Sequence, residues 1–320
     1  MSILSMTRVS FALSIASGAL LVGLSARDVA AQQHRRGFDS DTRSRIDTTI
    51  AFDRNGTVTL VAGNGDISVS GSTDGQLRVR VASENNDVRF DASSGRATVQ
   101  IANGRHGSDG KFEVSVPQGV RVIARSQSGD IQIRGTHGEV EVHAQNGDVI
   151  VEDVATRLTV NTLSGEITAA NIVGDVEIGT TSGDVKINDL RGSVDVATVS
   201  GDIDLRGLTS KLVRAKTTSG DVTFDGLVDP AGRYDLTAHS GDIRIHVQRD
   251  ASAQLTVSTW NGGIDSQFPI TLKPGEHGIG IANSKRFTFD IGGGAARISA
   301  ETFSGDITVS SNGRGASERR

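Results

Sequence analysis

The chain has no cysteine, which excludes disulfides, thiolate metal sites and cysteine nucleophiles together, along with lipid attachment at an N-terminal cysteine. Aromatic residues make up only 4%, with a single Trp and a single Tyr, and there are only 4 prolines. A core of bulky rings or a helical bundle fits this composition poorly. The 39 glycines and the short alternating runs of Val, Ile, Thr, Ser and Asp suit many strands and tight turns. Charge of one sign is not concentrated anywhere: acids and bases are interspersed, with a formal net charge of −5. The basic patch or stripe that a nucleic-acid surface needs is therefore missing.

Long apolar runs are missing too, with one exception. Arg8 precedes an apolar stretch from Val9 to Ala26, and Val29-Ala30-Ala31 places small residues before Gln32. These flanks predict a secretory signal peptide over residues 1–31, cleaved after Ala31, rather than an uncleaved anchor near the lower length limit of a spanning helix. The expected location is periplasmic or secreted, with no membrane span after cleavage. An exported chain without disulfides needs another source of stability, and repeated hydrogen-bonded rungs supply one.

What is present is one recurring turn. Its clear copies are Ser128-Gly129-Asp130, Asn146-Gly147-Asp148, Ser164-Gly165-Glu166, Ser182-Gly183-Asp184, Ser200-Gly201-Asp202, Ser219-Gly220-Asp221 and Ser240-Gly241-Asp242. Outlying copies are Asn64-Gly65-Asp66, Asn261-Gly262-Gly263 and Ser304-Gly305-Asp306. The glycines are 18 apart at every step from Gly129 to Gly201, then 19, 21 and 21 apart. A period of this length marks a repeat architecture.

Two and four residues after each glycine come apolar columns, such as Ile131 and Ile133, Val149 and Val151, Val185 and Ile187. Seven and five before it lie Val140 and Val142, Leu158 and Val160, Val176 and Ile178, then Tyr234 and Leu236. Period-two alternation gives each coil two short strands with one buried face. Ser126, Ala144, Thr162, Thr180, Thr198 and Thr217 continue the inward parity toward the turn. A second corner is expected at Gly135, Asp153, Asn171, Asp189, Gly207 and Gly226, residue types that tolerate a left-handed backbone.

The fold expected is therefore all-β: a parallel β-helix or β-solenoid with coils of 18–21 residues. Residues 32–45 read as a polar linker, 46–126 as an irregular β region forming either first coils or a capping sheet, 127–311 as the regular solenoid, and 312–320 as a polar tail. A loop is expected near Lys273-Pro274-Gly275 and a turn at Gly292-Gly293-Gly294, which lacks the Lys and Ser/Thr of a phosphate loop.

These columns, with Phe112-Glu113-Val114-Ser115-Val116-Pro117-Gln118-Gly119-Val120 and the repeated Ser-Gly-Asp-Ile/Val, resemble the DUF4097-type bacterial family of β-strand repeats, labelled "putative adhesin". The resemblance spans Ile46 to Ser310. It implies a right-handed β-helix-like fold at the cell envelope and brings no catalytic residues with it.

The acids Asp130, Asp148, Glu166, Asp184, Asp202, Asp221 and Asp242 would stack about 4.8 Å apart. Two readings compete: a Ca²⁺ row, or carboxylates bonded to the amides of their own turns. The second is favoured, because the glycine-rich nonapeptide of Ca²⁺-binding β-rolls is missing. Carboxylate pairs such as Asp202 with Asp204, or Glu139 with Glu141, carry no specificity for glycoside chemistry. His137, His143, His239 and His246 share no column, as a repeated metal site would require. Trp260 reads as edge packing more than as a binding aromatic, and Tyr234 as core. No catalytic, cofactor or metal residue is assigned. The expectation is a non-catalytic, adhesin-like binding or scaffold module for a cell-surface, polysaccharide or protein ligand. A Ca²⁺-dependent module and a carbohydrate-active β-helix enzyme are the alternatives.

Overall fold

The computed structural model describes residues 43–84, 88–101, 109–269 and 285–312. The expected signal segment, most of the linker, the tail after 312 and the loop at Lys273-Pro274-Gly275 lie outside them. Among the described residues every regular element is a strand, so the all-β solenoid expectation holds. The strand Arg43–Ala51 begins inside the segment read as linker.

Alternation produces the coil. Val140–Asn146 and Val149–Glu152 bury every second residue, and both pair in parallel with the same positions 18 residues on. Val140, Leu158, Val176, Val194, Val213 and Tyr234 form one in-register row. Ile131, Val149, Ile167, Val185, Ile203, Val222 and Ile243 form the other. Like apolar side chains thus stack in a thin core that no single coil could close alone.

The Ser-Gly-Asp corner continues the ladder rather than interrupting it: Gly183 N donates to Ser200 O (2.9 Å) and Val185 N to Asp202 O (2.8 Å). Inward threonines brace it, with Thr162 Oγ1 donating to Ser164 O and Thr217 Oγ1 to Gly201 O. At the second corner Asp153, Asn171 and Asp189 have φ of 57°, 56° and 54°, and Gly135 and Gly207 have 66° and 67°. Gly226 departs from this column because the register shifts between Arg206 and Leu208. Each coil also has a third, shorter side that adds to the two strands expected. Val154, Ile172, Leu190 and Leu208 are buried, and Ile172–Val173 pair with Leu190–Arg191. With only two residues per coil, that side is too short to show a period in the sequence.

At both ends the stacking order leaves the chain order. Thr57–Ser72 lies between the coil of Arg96–Ile101 and Asp109–Pro117 and that of Arg121–Ser128 and Ile131–Arg134. Ala296–Ser304 and Ile307–Asn312 insert between the coil ending at Gln248 and that of Ala253–Asn261 and Ile264–Ser266. Antiparallel strands close the stack: Gln76–Glu84 on Asp109–Pro117, with Arg43–Ala51 outside it, Val88–Ala92 on Arg96–Ile101, and Lys285–Ile291 on Ala253–Asn261. The irregular region is thus both first coils and cap, and the charged Lys285 and Arg286 blunt an edge that would otherwise recruit another strand.

The order is testable because the chain has no cysteine of its own. Asp235 faces Ser299, and Ser299 faces Thr256. Cysteines at 235 and 299 should oxidise to a disulfide, whereas cysteines at 235 and 256, two strand spacings or roughly 9.6 Å apart, should not. Non-reducing electrophoresis reads the difference, and sequential coils would reverse it.

The lone tyrosine fills the 21-residue coil between Gly220 and Gly241. Tyr234 Oη donates to Ser210 O (2.7 Å) and accepts from Asp229 N (2.8 Å), and its ring meets Phe224 at 5.4 Å. Burial is the main cause that pushes its hydroxyl up to about 12, against a smaller opposing effect of the Asp229 amide. A raised folded value contributes stability that is present below the ordinary 10.0 and lost as pH climbs toward about 12. Tyrosinate absorbance should therefore appear with a midpoint near 12 in the native protein and near 10.0 in denaturant.

Candidate functional site

The acid column is built into the corner. Asp130 N donates to Asp66 Oδ1 (3.1 Å), Asp148 N to Asp130 Oδ1 (2.9 Å) and Glu166 N to Asp148 Oδ1 (2.9 Å). The series resumes with Asp202 N to Asp184, Asp221 N to Asp202, Asp242 N to Asp221 and Asp306 N to Asp242, all at 2.8–2.9 Å. Each carboxylate thus accepts the amide of the next coil, not of its own turn as the sequence reading favoured. The reason is the stacking: an aspartate leaving the corner lies directly beneath the next corner's N–H. Glu166 breaks the series, because its extra methylene carries the carboxylate to Lys186 Nζ (2.7 Å). The last coil needs no acid, and Gly263 stands there, its N–H donating to Asp306 Oδ1 (2.6 Å).

Neighbouring cations temper the row's self-repulsion. Arg244 bridges Asp221 (2.7 Å) and Asp242 (3.0 Å). Partial burial pushes the Asp221 carboxyl up, but the Asp242 amide and Arg244 together hold it below the usual aspartate range. Among the described residues no group of three or more His, Cys, Asp or Glu is arranged to hold a metal ion.

The ladder's first members line a trough of about 780 Å³. Its floor is the outward face of three coils: Ser68, Ser70 and Ser72, then Glu113 and Ser115, then Gln132. Asp66, Asp130 and Asp148 line it where the strands begin, and Arg78 and Arg80 line it from the capping strand, which pairs Arg78 with Ser115 and Arg80 with Glu113. Arg78 and Arg80 share Asp47 at 3.7 and 3.3 Å, and Lys111 pairs Glu113 at 3.2 Å. The result is a polar surface of serine hydroxyls, Glu113 and Gln132 bordered by acids at the strand starts and by two arginines on the capping strand, suited to an extended polar ligand.

The other singled-out residues do not converge. His143 Nε2 meets Glu141 at 2.7 Å, and that bond is the main cause holding the Glu141 carboxyl below its usual range, with Arg121 adding to it. His246 Nδ1 meets Ser310 Oγ at 2.6 Å. Trp260 is 40% exposed and stacks on Phe303, which stacks on His239. The three rings share one outward column, but they come from coils whose spatial order the sequence does not reveal. The trough escaped the sequence reading because its capping strand does not follow the repeat. The alternating serines of Ser68, Ser70 and Ser72 were its one visible signal.

Residues 48–310 match the family model described as Toastrack DUF4097. No curated protein matches the chain. Among solved structures, one titled "putative adhesin" from Parabacteroides distasonis is 16% identical, covering 85% of this chain and 98% of that one, with a TM-score of 0.48. Another from Bacteroides fragilis is 12% identical, covering 83% and 97%, with a TM-score of 0.34. A third, from Parabacteroides merdae, is 13% identical, covering 85% and 97%, with a TM-score of 0.31.

Proposed function

The chain belongs to the Toastrack DUF4097 family, and we propose that it is an exported, non-catalytic, adhesin-like binding module of the cell envelope that grips an extended polysaccharide or protein segment. The observation that carries this reading is the trough, whose polar floor runs across three coils instead of converging on one reacting point. Its carboxylates support binding over acid–base chemistry. Asp66, Asp130 and Asp148 each already accept a neighbouring amide, whereas a glycosidase needs two carboxyl groups flanking one scissile bond. Export rests on the signal anatomy of Arg8, Val9 to Ala26 and Val29-Ala30-Ala31.

The test starts with the mass of the secreted chain, expected to begin at Gln32. The purified mature chain is then offered immobilised xylan, dextran, alginate and peptidoglycan, with reducing ends assayed alongside binding. Saturable retention without release of ends is expected, weakened about tenfold by Arg78→Ala with Arg80→Ala. Turnover of any polymer that Asp130→Asn abolishes would overturn the non-catalytic reading.

A further inference from the structure

At the far end of the solenoid from the trough, a second hollow of about 250 Å³ opens on the outer face of three neighbouring coils. Trp260 and Phe303 form one wall, and Thr237, Glu301 and Ser258 the other. The floor between the walls is the strand backbone at Ala238 and Thr302, whose side chains point inward. The two walls are outward columns two residues apart along each strand, a separation of about 6.6 Å. Across the coils, Thr237 faces Glu301, and Glu301 faces Ser258.

The rings are nearly parallel, at 13°, with centroids 5.0 Å apart from His239 to Phe303 and 6.0 Å from Phe303 to Trp260. Phe303 is 48% and Trp260 40% exposed, so the aromatic row presents apolar surface to the hollow. Glu301 has no hydrogen-bond or ion-pair partner among the described residues, and the hydroxyls of Thr237 and Ser258 are likewise unengaged.

We propose that this hollow binds one unit of a neutral hexose polymer, its C–H face laid on the Trp260 and Phe303 rings and its hydroxyls bonded to Glu301, Thr237 and Ser258. The proposal rests on the binding-module reading but uses a separate site. A sugar ring has an apolar face and a polar rim, and the hollow offers that division across about one ring's width. Its volume lies below the roughly 300 Å³ at which pockets enclosing drug-sized ligands begin, so it takes one unit of a chain rather than a whole ligand. The coil pitch of about 4.8 Å is close to the length of one glycan unit, so the aromatic row can follow the polymer from coil to coil.

Trp260 is the only tryptophan, so its fluorescence reads the site directly. The full mature chain is titrated with cellohexaose, laminarihexaose, mannohexaose and, as an acidic control, hexagalacturonate. A saturable change in Trp260 emission is expected with at least one neutral hexamer and none with the acidic one. By calorimetry, Trp260→Ala and Glu301→Gln should each weaken that hexamer by about tenfold, whereas Leu163→Ala, in the same outward column several coils away, should not. An unchanged Tyr234 titration keeps a folding defect apart from a lost contact. No response to any neutral hexamer, or affinity indifferent to both substitutions, overturns the proposal. So does emission that changes only with protein concentration, which would assign the patch to a second copy of the chain. The Arg78→Ala with Arg80→Ala variant should bind the hexamer as the parent does, so loss of trough binding leaves this site standing and loss of hexamer binding leaves the trough standing.

Discussion

Val185→Asp should destabilise the protein by more than about 4 kcal/mol, read as a fall in the denaturant midpoint or as failure to fold. Val185 is fully buried in a row between Ile167 and Ile203. A carboxylate there meets methyl groups above and below, and no cation can reach it. The next residue points outward: Lys186 reaches Glu166 at 2.7 Å from a half-exposed position. Lys186→Asp loses that exposed pair and adds a charge beside other acids, a small fraction of the effect at Val185. Equal losses at the two positions would refute the assigned parity.

Gly147→Ala should be the second large loss, about 2–4 kcal/mol, from two causes acting together. The backbone at Gly147 has a φ of 118°, which L-residues rarely adopt. A Cβ there would also lie 2.3 Å from the carbonyl oxygen of Gly129 in the adjacent coil. Neither the turn nor its neighbour can move, because the same contact recurs at Gly165, Gly183 and Gly201. Gly179, inside the strand Asp175–Ser182, is the control. Its added Cβ meets only the tip of Asn161 at 3.1 Å, so Gly179→Ala should be neutral or stabilising by about 0.5 kcal/mol. Chemical denaturation of both variants separates a corner glycine from an incidental one.

Much of this architecture is legible in the columns, because a parallel in-register stack repeats each position's environment and the sequence repeats with it. Val140, Leu158 and Val176 could be placed beside one another from spacing alone, and so could the left-handed corner at Asp153, Asn171 and Asp189. The register ends where the repeat leaves chain order. Asp66 bonds the amide of Asp130 and Asp242 that of Asp306, each pair 64 residues apart, a separation that spacing cannot distinguish from an ordinary gap. The missing acid at Gly263 was visible as a departure, but its meaning, that no further coil needs an acceptor, depends on knowing which coil comes last. Both candidate binding surfaces lie where that order fails. The trough needs the capping strand carrying Arg78 and Arg80, and the aromatic row needs Phe303 between His239 and Trp260.

The ladder's role as an inter-coil acceptor underlies the assignment of binding to the faces between corners, and Asp202 isolates it. Asp202 Oδ1 accepts the amide of Asp221 at 2.8 Å, a bond that an Asn side-chain oxygen can reproduce and an Ala cannot. Thermal unfolding of the parent, Asp202→Asn and Asp202→Ala, in chelator and in millimolar Ca²⁺, gives the measurement. Asn should match the parent, Ala should lose on the order of 1 kcal/mol, and Ca²⁺ should shift none of them. A Ca²⁺-dependent rise in the parent's midpoint that Asp202→Asn removes would show a cation bound to the ladder, and would contradict its assignment as a structural corner.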